Sequence, residues 1–82
     1  MAMRIMTCAD GSKWEIQTWY SGAGTRSEAR AIGTGQATVG RTEHGWYFGG
    51  KCNPLELPAQ VVDAVGADYL SAVRKDAERF AP

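Results

Sequence analysis

The residues of this chain best able to do chemistry are its single histidine, His44, and its two cysteines, Cys8 and Cys52. His44 opens the stretch His44-Gly45-Trp46-Tyr47-Phe48-Gly49-Gly50-Lys51-Cys52, which also carries three consecutive aromatics. A histidine near a cysteine suggests a thiol nucleophile, in which the imidazole takes the thiol proton and a third group orients the ring. No recognisable signature surrounds either cysteine, and a chain of 82 residues leaves little room for a substrate cleft. The stretch reads better as the tip and flank of a β-hairpin. His44-Gly45 falls where a two-residue turn belongs, since histidine tolerates positive φ better than most residues and glycine adopts it freely.

Metal binding fares no better. Cys8, His44 and Cys52 with a carboxylate would make four ligands, but they lack the close pairing of zinc ligands. Gly33-Thr34-Gly35-Gln36-Ala37-Thr38-Val39-Gly40 has the glycines of a phosphate loop without its Lys-Ser/Thr ending. Glycines entering a strand more often mark bends or bulges. Gly22-Ala23-Gly24-Thr25-Arg26-Ser27 is a somewhat better anion cradle, with Arg26 beside backbone amides, yet it reads first as a surface loop. The expectation is therefore no catalytic residue, no cofactor and no metal.

Aromatic residues offer a different kind of site. Trp14, Ile16, Thr18 and Tyr20 alternate with Lys13, Glu15, Gln17 and Trp19, a period of two that marks a half-buried strand. Trp14 and Ile16 then face the core and Trp19 the opposite side. In the hairpin strand from Trp46 to Lys51, Trp46 and Phe48 share one face and Tyr47 takes the other. Trp19 and Tyr47 together would form an aromatic platform on the sheet face turned away from the helices. Such platforms serve protein interfaces and base stacking alike. Interface energy concentrates in aromatic and arginine residues, so the expected partner-binding set is Trp19 and Tyr47 as anchors with Arg26, Arg30 and Arg41 as a polar rim. The sheet face and the 22–32 loop are the expected contact surfaces.

These residues need a frame. Met3 to Ala9 reads as a first strand, and Asp10-Gly11 after it is a strong hairpin signal. Ser21 to Thr25 is a loop by composition. Ser27 to Gly33 reads either as one helical turn, capped by Ser27 and ended by Gly33, or as the start of a strand. Gln36 to Glu43 is strand-like. After Cys52 the period lengthens. Leu57 to Gly66 predicts a short helix with Pro58 in its first turn and Gly66 as its stop. Asp68 would cap a second helix whose apolar residues Tyr69, Leu70, Val73, Ala77 and Phe80 recur at helical steps. Arg74, Lys75 and Arg79 toward its end suit the helix dipole. The expectation is an α+β fold in two layers, an antiparallel sheet of about four strands with two C-terminal helices packed on one face. It is a single domain, residues 1–82, with the sheet in 1–52 and the helical part in 53–82.

The totals narrow the function. Nine basic residues balance nine acidic ones, so the net charge is zero. Between Lys13 and Lys51 five basic residues meet three acidic, and from Cys52 onward three meet five. A nucleic-acid binder carries a clear basic excess and a DNA mimic a clear acidic one. Neither is present. A protein partner is therefore expected, with a nucleic acid bound through the same face as the alternative and a homodimer joined by its sheet face or edge as a third. The free chain is expected to be a monomer or a homodimer. No apolar run approaches the roughly 20 residues that span a membrane, and the opening MAMRIMTCADG has no apolar signal core. A cytoplasmic setting is the simplest expectation. There both cysteines would be free and partly buried, while a single bridge between them is the alternative for an exported chain.

A small antiparallel sheet followed by C-terminal helices, without a catalytic motif, resembles in size and architecture the small inhibitors encoded by phages and mobile elements, the anti-CRISPR proteins among them. No motif carries this resemblance and no family residue transfers. It implies a cytoplasmic protein that blocks a host complex by covering a surface. The balanced charge departs from the acidic DNA mimics in that group and fits a direct protein block.

Overall fold

In a computed structural model, residues 2–21, 24–33, 37–50 and 57–80 are described. They form five strands and one helix: β1 (Ala2–Thr7), β2 (Lys13–Ser21), β3 (Gly24–Ala31), β4 (Ala37–Thr42), β5 (Gly45–Gly50) and α1 (Ala59–Phe80). The strands form one antiparallel sheet in the order β1-β2-β3-β4-β5, so each pairs with its neighbour in sequence. The class is α+β, with one strand more and one helix fewer than the sequence reading expects.

The extra strand is β3. Its residues alternate between buried and exposed positions, which is the period of a strand. Ser27 does not cap a helix. It is fully buried in the sheet, and its hydroxyl lies 3.0 Å from that of Thr18 on the neighbouring strand. One hydroxyl donates to the other, which offsets the cost of burying Ser27. The expected 22–32 contact loop is thus mostly the central strand of the sheet.

The missing helix boundary lies at Gly66. Val61, Val65 and Tyr69 are all buried and stand at four-residue steps, so one apolar stripe runs straight through the glycine. A glycine inside a helix costs about 1 kcal/mol relative to alanine, which the continuous stripe outweighs. Asp68 caps nothing. Its carboxylate takes the Arg4 guanidinium through two contacts of 3.1 and 3.2 Å. Leu70, expected on the packed face, is exposed because it follows Tyr69 around the helix.

The core lies between α1 and the sheet centre. Trp14, Ile16, Ala29 and Val39 meet Val61 and Val65, with Cys8 closing one end. Polar ties fix the helix over this core. The Ala9 amide donates to Gln60 Oε1 at 2.9 Å, and Thr25 Oγ1 donates to Asp76 Oδ2 at 2.7 Å. Pro58 offers its carbonyl to the Val61 amide at 3.0 Å as the helix begins. The β1–β2 turn follows its sequence signal. Gly11 has φ 87°, and Asp10 Oδ1 accepts from the Ser12 amide and hydroxyl. The hydroxyl contact leads in holding the Asp10 carboxyl below its ordinary pKa.

Candidate partner-binding face

Strand register assigns every side chain to one of two faces. Trp14, Ile16, Ala29, Val39, Arg41, Trp46 and Phe48 point to the helix side, while Trp19, Arg26, Glu28, Arg30, Gly40 and Tyr47 belong to the open side. Trp19 and Arg26 stand directly opposite each other on β2 and β3. The Arg26 guanidinium carbon lies 5.8 Å from the Trp19 ring centroid and 5.5 Å from that of Tyr47. One cation is therefore shared by two rings, within the range where the ring quadrupole attracts it.

Tyr47 reaches this position because Gly40 has no side chain. Gly40 and Tyr47 are register partners, and a Cβ on Gly40 would overlap Cζ, Cε1 and Oη of the tyrosine. The ring crosses β4, and its hydroxyl donates to Glu28 Oε1 on β3 at 2.7 Å. Burial is the main cause that pushes the Tyr47 pKa up to about 12; the hydrogen bond to Glu28 and its charge add to it, and Arg26 opposes. Arg30 Nη2 lies 3.4 Å from Glu28 Oε2 on the same face. The open face thus holds a row of interlocked groups, Trp19, Arg26, Tyr47, Glu28 and Arg30. At its β1 edge stand Met3 and Ile5, 63% and 64% exposed.

Four of the five expected partner-binding residues, Trp19, Tyr47, Arg26 and Arg30, therefore share one face. Arg41 does not. Its register partners Ser27 and Trp46 put it on the helix side, where its guanidinium lies 4.8 Å from the Tyr69 ring centroid. Sequence reasoning missed Gly40 and Glu28, which hold Tyr47 in place. A mid-strand glycine opposite an aromatic was the available signal, since such a glycine marks a close approach.

The chemical candidates separate. Glu43 and His44 form the β4–β5 turn, with Gly45 at φ 120° taking the positive-φ role. The His44 side chain is 86% exposed, with Glu43 Oε1 at 3.4 Å. Cys8 is buried at the opposite end of the sheet, beyond the Thr7–Lys13 pair, so it cannot meet His44. Cys52 and the expected phosphate-loop residues Thr34, Gly35 and Gln36 lie outside the described residues. Among the described residues no group of three or more His, Cys, Asp or Glu is placed to hold a metal, and no helix is long and apolar enough to cross a membrane.

Comparison with known proteins gave no matching family model, no matching curated protein and no matching solved structure.

Proposed function

We propose that this chain is a non-enzymatic protein-binding module, an inhibitor of the phage type that acts by covering a surface of a host complex with its open sheet face. The observation that carries the reading is the Arg26 guanidinium held between Trp19 and Tyr47. Two rigid rings and a pre-positioned arginine lose little side-chain freedom on binding, and these residue types dominate interface energies. The open face is also nearly neutral. Arg26, Arg30 and Lys13 stand there with Glu28 and Glu15. Among the described residues the face offers a phosphate backbone no basic stripe.

The test is recovery of a stoichiometric protein from lysate on the immobilised chain, with nuclease and with Trp19→Ala as the control. A partner that survives nuclease and is lost with Trp19→Ala, while that variant melts near the parent temperature, supports the reading. Nuclease-sensitive recovery with steep salt dependence replaces it with single-strand or duplex binding through the same face.

A further inference from the structure

A different part of the sheet carries a separate inference. β5 is the last strand of the sheet among the described residues. Edge strands present unpaired backbone groups, and natural proteins blunt them with charges, prolines or bulges. Gly45–Gly50 contains no charged residue and no proline. The other edge, β1, carries Arg4 at its middle, fixed by Asp68.

Side chains on β5 have a second property. Read from Tyr47 outward in both directions, the strand is Tyr47, then Trp46 and Phe48, then Gly45 and Gly49. It is symmetric in residue class about its centre. α1 packs over β2, β3 and β4, so although the Trp46 ring tip reaches toward Gly66, Trp46 and Phe48 stay 42% and 44% exposed on the helix side.

We propose that β5 is a self-association edge, and that two copies of this chain join through antiparallel β5–β5 pairing on a two-fold axis through Tyr47. An isologous contact of two antiparallel strands must pair some residue with itself, and every other residue then pairs with its mirror position. Centring on Tyr47 sets Trp46 against Phe48 of the other copy twice, and glycine against glycine at both ends. Cross-strand aromatic pairs of this kind stabilise a sheet. The self-paired Tyr47 does not clash, because its ring leans inward over Gly40 toward Glu28 and away from the edge. Centring on Phe48 instead would leave Trp46 facing Gly50 and Tyr47 facing Gly49. The product is one continuous sheet of ten strands, with two open faces side by side and four aromatics covered.

Sedimentation of the full chain over a concentration series tests this. The expected mass is twice 8.9 kDa, falling to the single mass with Phe48→Lys and staying doubled with Ile5→Lys on the other edge. Circular dichroism melting checks that both variants fold. A single mass up to about 1 mM, the weak end of specific association, overturns the proposal. So does a dimer lost with Ile5→Lys and kept with Phe48→Lys. Should Phe48→Lys fail to fold, amide exchange on the unaltered chain decides. The amides of 45–49 that point away from β4 must slow several-fold as concentration rises while those of β1 do not, and exchange independent of concentration at those amides overturns the proposal.

Discussion

Tyr47 lies across the bare backbone of Gly40 and donates its hydroxyl to Glu28 Oε1 on the next strand, 2.7 Å away. One side chain from an edge strand thus spans β4 and ties β5 to the centre of the sheet. It also sets one wall of the arginine sandwich.

Gly40→Ala should break this arrangement. The new methyl would occupy the space of the Tyr47 ring, so the ring must swing away and lose Glu28. Overpacking of this kind costs about 1–3 kcal/mol. Chemical denaturation should register that loss, and the tyrosine titration should fall back toward its ordinary value. A stable variant with an unchanged titration would show that the ring can be held without the glycine.

Tyr47 predicts an alkaline limb in stability. Its pKa in the fold is about 12, against 10.0 for the ordinary side chain. A raised acid pKa means that the folded state holds the proton more tightly. The contribution is complete below pH 10 and is lost as pH rises toward 12. Tyr47→Phe should flatten this limb in denaturation series across that range, while costing about 1 kcal/mol at neutral pH for the lost hydrogen bond.

Trp19→Ala and Arg26→Ala should separate binding from folding. Both residues stand on the open face, outside the core cluster. Losing the shared cation contact should cost about 0.5–1 kcal/mol of stability per ring, whereas partner affinity should fall tenfold or more, the scale of an interface hot spot. Equal losses in thermal stability and affinity would remove the face from consideration.

Gly66→Ala should stabilise the protein. An added Cβ would sit 3.6 Å from the Trp46 ring, an ordinary van der Waals contact. Helix propensity then decides, worth about 1 kcal/mol in favour of alanine. Thermal melting should rise. A fall would mean that the Trp46 ring presses closer on the helix than that distance indicates.

Local alternation made much of the sheet legible. Lys13 to Tyr20 announces its own period, and Trp14, Ile16 and Trp19 take the faces that period assigns. Asp10-Gly11 turns where its chemistry puts it, whereas the turn expected at His44-Gly45 falls one residue earlier, at Glu43-His44, with Gly45 already in β5 and His44 not in a positive-φ conformation. Tertiary context decided the rest. Gly24 to Ala31 is rich in small and charged residues with weak strand preference, and only pairing on both sides makes it a central strand. Gly66 carries a stop signal that the stripe of Val61, Val65 and Tyr69 overrides. Arg41 was misplaced because its face depends on register, and a one-residue difference in parity reverses a side chain's side. The Gly40, Tyr47 and Glu28 contact joins three strands, so no window along the chain contains it.

The strand order has a consequence for how the chain reaches this state. Every pairing in the sheet joins strands that are neighbours in the sequence, so the sheet forms from segments close along the chain, with small closure entropy. Long-range closure is left to α1, which returns from the end of the chain to Arg4, Ala9 and Thr25. The meander can zip from any of its hairpins, and docking of the helix is the event that turns a half-wet ribbon of strands into a closed core.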